Sequence, residues 1–411
     1  MKKIIRILKD DIFPALKHRN FRYFWFGQCI SLLGTWTQRT AEAWLVYSLT
    51  NSPLLLGLLG VFQFGPSLAF SLFAGVLVDR FPKRKLLLIT QFAFMFHSLA
   101  LSLLVLSGRV RYWHVVLLAL IFGLSQALDM PSRQAFVVEL VGKKDLMNAI
   151  SLNSTIVNLA KIVGPAVAGI LMIKLGVGVC FLVNSISFLP VIYGIYKITA
   201  NGINNRGKKL TIIKDISEGV KYILNNETLL FTCIFMLIVC TFSANSEVII
   251  PIFAKDVLSG GINGYTFLLS ALGIGAFIGA ICMAVRSRRG PKKFILIADT
   301  LLVSIVQISI HFIKSYYFIA FMILFIGFFY MTFLNMSNST LQINSSNEYR
   351  GRVMSVYTLL NVGTTPIGNA FSGAIMERLG SNMGYTICGI FTLVPAIIVL
   401  LAMSKRKGRV V

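Results

Sequence analysis

Five ionisable side chains stand inside long apolar runs of the 411-residue sequence: Arg39, Glu42, Lys161, Glu247 and Asp299. Charge is expensive in an apolar medium, so such groups face a partner, a cavity or an ion path. A carboxyl whose surroundings change during a cycle can take up and release a proton. Glu42 follows Arg39 by three residues, the spacing of neighbours on one helix face, so a local pair competes with any longer-range partner. Lys161 precedes Gly164-Pro165, a position from which it can contact an anionic substrate or neutralise a carboxylate. His97 titrates in the right range for a proton relay, but a lone histidine deep in an apolar run reads first as a packed, hydrogen-bonded residue. Asp299 falls roughly 9 Å into its run at 1.5 Å per helical residue and reads as interfacial. Trp36, Gln38 and Phe242 share these runs and are candidates to line a cavity.

Hydrolytic, metal and nucleotide chemistry is not legible. There is no HExxH, GxSxG or CxxC, and all six cysteines sit in apolar runs. Residues 202–209 approach a phosphate-binding loop, but Lys209 stands where a hydroxyl would bind magnesium, and an apolar run precedes the segment. The chain is expected to have no catalytic residue, no metal and no cofactor, and not to be an enzyme.

The elements that must hold these side chains follow from composition. Hydrophobic residues make up 56% and charged residues 13% of the chain, with a mean hydropathy of +0.77; soluble domains carry about 25% charged residues. A membrane-spanning helix needs about 20 apolar residues. Such runs occur at 21–48, 53–78, 84–107, 113–136, 147–174, 177–197, 228–254, 264–285, 293–313, 316–340, 352–377 and 382–403. The expected fold is an all-α membrane protein of twelve transmembrane helices in two six-helix bundles, 21–197 and 228–403. A basic N-terminal segment (1–20), a linker (198–227) read as a hinge, and a basic tail (404–411) complete it. No cleavable leader is expected at the N-terminus.

The net charge of +24 suggests nucleic acid only until its placement is read. Of 39 Lys and Arg residues, 31 fall in segments on one side of these runs and six on the other. The positive-inside rule then puts both termini in the cytoplasm, with the excess charge facing anionic headgroups of the cell inner membrane. Nucleic acid is not an expected partner; the lipid bilayer is.

Residues 148–176 align without gaps to 352–380, pairing Gly164 with Gly368, Gly169 with Gly373 and Gly176 with Gly380. Residues 80–85 match 288–293 at a displacement of 208. The two halves are therefore repeats related by pseudo-symmetry, and the same displacement sets Arg39 opposite Glu247. Gly65-Pro66, Gly164-Pro165 and Thr365-Pro366 mark expected bends, and Gly275 to Gly279 a small-residue packing face.

The run from Gly75 through Asp79, Arg80 and Arg84 to Lys85 resembles the loop 2–3 motif of the major facilitator superfamily, with Pro82 in place of Gly. Gln38-Arg39, Trp44 to Ser52 and Asp129 to Gln134 are similar to segments of its exporter branch, which includes the enterobactin exporter and macrolide-efflux proteins. Gly164-Pro165 to Gly169 looks like the core of the superfamily's antiporter motif, with Ala168 replacing a Gly. The resemblance covers essentially the whole chain. It implies a secondary transporter that exports small amphiphilic molecules, drug-like or siderophore-like, against protons by alternating access, as a monomer. A lipid flippase, an importer and a non-transporting sensor of the same fold are the other readings. The motif also implies a cytoplasmic latch in which Asp79 receives backbone N–H groups and Arg84 pairs with Asp129, itself one turn before Arg133. Arg39 and Glu247 are expected to exchange a salt bridge at an outer gate, Glu247 carrying the proton.

Overall fold

A computed structural model describes residues 13–198, 212–286, 289–346 and 348–407. Most of the basic N-terminal segment, the first half of the linker and the end of the tail lie outside these residues. The described chain is helical throughout: α1 Arg19–Thr50, α2 Pro53–Arg80, α3 Lys83–Leu106, α4 Tyr112–Gly142, α5 Lys144–Leu175, α6 Val177–Lys197, α7 Ile212–Leu224, α8 Glu227–Phe242, α9 Ser246–Ile252, α10 Gly261–Arg286, α11 Lys293–Ser309, α12 Tyr316–Ile343, α13 Arg350–Val362, α14 Thr365–Leu379 and α15 Met383–Lys407. Without water to bond to, a backbone in hydrocarbon must satisfy its own N–H and C=O groups, which helices do. Ten stretches among the described residues are long and apolar enough to cross a membrane; they fall on α2 to α6, α8 with α9, α10, α11, α12 and α15. The protein is an all-α, multi-pass membrane protein. The remaining two apolar runs are helical but fall outside those ten. Buried Gln28, Ser31, Thr37, Gln38, Thr40 and Glu42 make α1 polar, and the run at 352–377 is divided between α13 and α14.

The chain departs from the sequence reading at three places. No loop separates α4 from α5; Gly142 turns the run within one residue (φ 68°, ψ 177°), a backbone only glycine adopts cheaply. Much of the second half of the linker is helix α7: Gly219 lets it approach Arg352, Glu218 pairs with Arg352 at 2.8 Å, and Tyr222 stacks on Tyr349 at 4.4 Å. The seventh apolar run is broken at Ser243 to Asn245, between α8 and α9. Pro66 and Pro165, by contrast, sit within unbroken helices.

The residues separate into two compact units, with boundaries at 49/50, 61/62 and 209/210. In the first, α3 runs along α6 and α4, around a core of Phe21, Phe24, Leu87, Phe94, Phe136 and Phe188. Gly27 meets the Val191 backbone and Gly194 the Tyr23 carbonyl, a reciprocal contact that draws α1 against α6. In the second, α10 runs along α12 and α11 along α15, around Leu229, Phe235, Met236, Leu296, Phe333 and Met336. Residues 50–61 at the start of α2 belong to this second unit. There Glu377 accepts from the Ser52 hydroxyl at 2.9 Å and the Leu54 N–H at 3.2 Å. Repeat-related helix ends share one geometry. Gly176 ends α5 at φ 87°, its N–H on the Met172 carbonyl, and Gly380 ends α14 at φ 95°, its N–H on the Met376 carbonyl.

Gly275 of α10 abuts the Leu324 carbonyl, and Gly327 of α12 abuts the Leu272 carbonyl, so any Cβ there would overlap backbone. Gly275→Leu must part the two helices. Overpacking of this kind costs about 1–3 kcal/mol, and more where backbone must move. The variant is expected to lose its sharp thermal transition and monodisperse elution in detergent, whereas Ile274→Leu, at a half-exposed position, is expected to keep both.

Candidate functional site

Four helices of the first unit converge polar side chains into one buried network. Glu42 of α1 accepts a 3.0 Å hydrogen bond from Gln63 Nε2 of α2. One turn earlier, Gln38 is held at both ends: its Oε1 accepts from Asn184 Nδ2 of α6 at 2.7 Å, and its Nε2 faces His97 Nδ1 of α3 at 3.3 Å. An amide N–H is only a donor, so Nδ1 is the acceptor and the neutral ring carries its proton on Nε2, which is buried without a hydrogen-bond partner among the described atoms. Asn184 also donates to Ser98 Oγ at 3.1 Å. All of these groups except Ser98 have amide or ionisable chemistry in an apolar surround, where satisfied networks rigidify and fix side-chain orientation.

Beside the network, Thr35, Gln38, Arg39, Glu42, Gln63, Phe122 and Asn184 line a small recess. The Arg39 guanidinium lies 4.8 Å from the ring centroids of both Trp36 and Phe64, and Lys161 Nζ 5.4 Å from that of Trp36. Cation–π contact holds a positive group in place at an apolar site. Gly164 makes the approach possible: α5 touches α1 at Trp36 Cβ, and the Thr37 hydroxyl donates to the Gly164 carbonyl at 3.3 Å. The buried Gly169 lies one and a half turns further along α5.

Where the motif led to an Arg84–Asp129 pair, the structure has two separate arrangements. Arg84 closes the end of α6, donating from Nε to the Ile195 carbonyl at 3.0 Å and from Nη2 to the Tyr196 carbonyl at 2.5 Å. The last carbonyls of a helix lack intrahelical donors, and a guanidinium supplies them. The acceptors of Asp129 are taken by Thr90 at 2.8 Å, Gln91 at 2.7 Å and a two-pronged ion pair with Arg133. Lys83 pairs instead with Glu139 of α4 at 3.2 Å. Arg80 is exposed at the end of α2; Gly75 and Asp79 lie in its last turns, their side chains outside the described set.

In the second unit the break between α8 and α9 is bridged by side chains. The Ser243 hydroxyl donates to Gln307 Oε1 at 3.0 Å, Gln307 Nε2 returns a 3.1 Å bond to the Ser243 carbonyl, and Asn245 Nδ2 donates to the Thr241 carbonyl at 3.0 Å. Glu247 stands exposed in the first turn of α9, within electrostatic reach of Tyr265 and Tyr330. Phe242 packs with Phe371 and Phe391 in an aromatic cluster. Gly368 abuts the Thr241 carbonyl and Asn245. The two units thus repeat one contact: Gly164 meets Thr37 two residues before Arg39, and Gly368 meets Asn245 two residues before Glu247.

With this geometry in hand, the family profile for "Transmembrane secretion effector" (MFS_3) matches residues 11–408. The chain belongs to this family. Curated relatives of this major facilitator transporter include the staphyloferrin A transporter of Staphylococcus aureus, 22% identical and covering 90% of this chain and 93% of that protein. Macrolide efflux protein A of Streptococcus pyogenes is likewise 22% identical, over 94% and 96% of the two chains. The crystal structure of the nucleoside transporter NupG superposes with a TM-score of 0.74 at 11% identity, covering 94% and 99%; that likeness shows the fold. Among the described residues no His, Cys, Asp and Glu group is placed to hold a metal.

Sequence inspection of the transporter missed Gln63, Asn184, Ser98 and Gln307, because neutral amides and hydroxyls do not announce themselves as charges do. Their signal was present in the apolar runs Val61-Phe62-Gln63-Phe64 and Leu182-Val183-Asn184-Ser185. The helix break was written in Ser243-Ala244-Asn245-Ser246, four small or polar residues in an otherwise apolar stretch.

Proposed function

We propose that this protein is a proton-coupled exporter of small amphiphilic organic molecules, working by alternating access. The observation that carries the proposal is the pair of repeat-related positions: a cation, Arg39, in the first unit and a carboxylate, Glu247, in the second, each set by a glycine contact of its own unit. On this reading the chain crosses the cell inner membrane twelve times as bundles 21–197 and 228–403, with α1 and the α13–α14 pair as the two least apolar crossings, both termini cytoplasmic, and the protein a monomer. Arg39 and Glu247 form an ion pair that is exchanged during the cycle, Glu247 taking the proton when the pair is undone. Trp36, Gln38, Lys161 and Phe242 line the substrate path, and Glu42, held by Gln63, sets the charge beside Arg39. Asp79, Arg80 and Arg84 belong to the cytoplasmic latch, braced by Asp129 and Arg133. The similarity to efflux proteins supports the outward direction.

Inside-out vesicles energised by respiration test the proposal. A panel of macrolides, lipophilic dyes and catecholate chelators is added while the pH gradient is followed. At least one compound is expected to dissipate the gradient and to accumulate in the vesicles in a protonophore-sensitive way. Folded protein that binds a compound yet moves neither it nor protons contradicts the proposal.

A further inference from the structure

A further buried carboxylate lies outside the site just described. Asp299 of α11 is 5% exposed and its Oδ2 has no hydrogen-bond partner among the described atoms. Around it stand Thr332 of α12 and Arg286 at the end of α10. The Ser337 hydroxyl is fully buried and likewise unpartnered, and so are Nε and Nη2 of Arg286. An acid and a guanidinium within electrostatic reach of it thus stand in the second unit with bonds unmade. Each unsatisfied buried group costs about 1–3 kcal/mol, and more when charged.

The first unit shows the closed version of this arrangement. The 208-residue displacement carries Gln91 to Asp299 and Asp129 to Ser337. In the first unit the amide and the acid are bonded at 2.7 Å, and an arginine forks onto the acid. In the second unit the acid has moved from α12 to α11, its arginine comes from α10, and the fork is open.

We propose that Asp299 is a second proton-binding site of the transporter, at which a proton and the Arg286 guanidinium are exchanged. On this proposal Asp299 is the neutral acid while its Oδ2 stands unbonded. When the cytoplasmic ends of α10 and α12 close on α11, Arg286 forks onto both carboxylate oxygens and the proton leaves for the cytoplasm. The step breaks one O–H bond, makes two N–H···O bonds, and leaves a neutral ion pair where a neutral acid and a buried cation stood. Arg286 is the charged group acting on Asp299, and the Thr332 hydroxyl, which donates to the Phe329 carbonyl at 3.0 Å, lies beside it. The site is independent of Glu247, so it stands or falls apart from the coupling role given to that residue.

Infrared difference spectroscopy on the full chain in liposomes, with no added substrate, tests it. An alkaline jump is expected to remove the C=O stretch of a buried protonated acid in wild type, and Asp299→Asn is expected to lack that component while Glu247→Gln keeps it. In Arg286→Gln, the competitor of the proton is gone, and the band is expected to survive the jump that removes it in wild type. Asp299→Glu is expected to restore a shifted band, which separates titration from a folding defect. An unchanged difference spectrum in folded Asp299→Asn, or identical responses of Arg286→Gln and wild type, overturns the proposal.

Discussion

Glu247→Gln is expected to reduce substrate-driven proton movement to background while the protein still folds, reaches the membrane and binds substrate. The side chain is exposed in the first turn of α9, and an isosteric amide keeps its shape, so the variant is expected to fold. Its effect is on charge. An amide cannot bind and release a proton. Downhill substrate exchange, which needs no proton, is expected to persist. The discriminating comparison is uphill transport against exchange in the same vesicles. Loss of both would mark a substrate contact, and wild-type uphill transport would remove Glu247 from the coupling role.

Asp129→Ala is expected to be the most damaging substitution in the first unit. The carboxylate is 7% exposed and receives Thr90, Gln91 and the Arg133 fork. Removing one partner of a buried ion pair typically costs about 3–5 kcal/mol, because the other charge stays buried without compensation. Here two further donors lose their acceptor as well. Asp129→Asn keeps shape and one acceptor oxygen and is expected to lose less. The double substitution Asp129→Ala with Arg133→Leu should recover part of the deficit, since the orphaned charge is gone. Thermal unfolding in detergent gives the order wild type, Asn, double, Ala; an Ala variant as stable as wild type would mean that the network is ornamental to the fold.

Helical, multi-pass architecture was legible in the sequence because it depends on apolar run length, a property local to each segment. Gly164, Gly176, Gly368 and Gly380 were legible as a repeat, and the paired glycines make like contacts and end their helices alike. The small-residue face from Gly275 was legible too, since only glycine lets two helix backbones meet. Partner choice was not. Arg84 and Asp129 have opposite charge and lie at the ends of neighbouring apolar runs, yet each found a stronger alternative: one a helix end in need of donors, the other an arginine a single turn away. Sequence spacing ranks electrostatic partners by sign, whereas the fold ranks them by which groups would otherwise be left unsatisfied. The same logic hid Gln63 and Asn184, which matter because they complete the bonds of Glu42 and Gln38.

The most direct test is to record substrate and proton flux together in proteoliposomes, under an imposed pH gradient and with membrane potential clamped. The compound used is the macrolide, dye or chelator giving the largest response in vesicles. Proton-coupled export predicts that the two fluxes run in opposite directions, that reversing the pH gradient reverses substrate movement, and that Glu247→Gln uncouples them. Fluxes in the same direction, or substrate movement indifferent to the pH gradient, would contradict it.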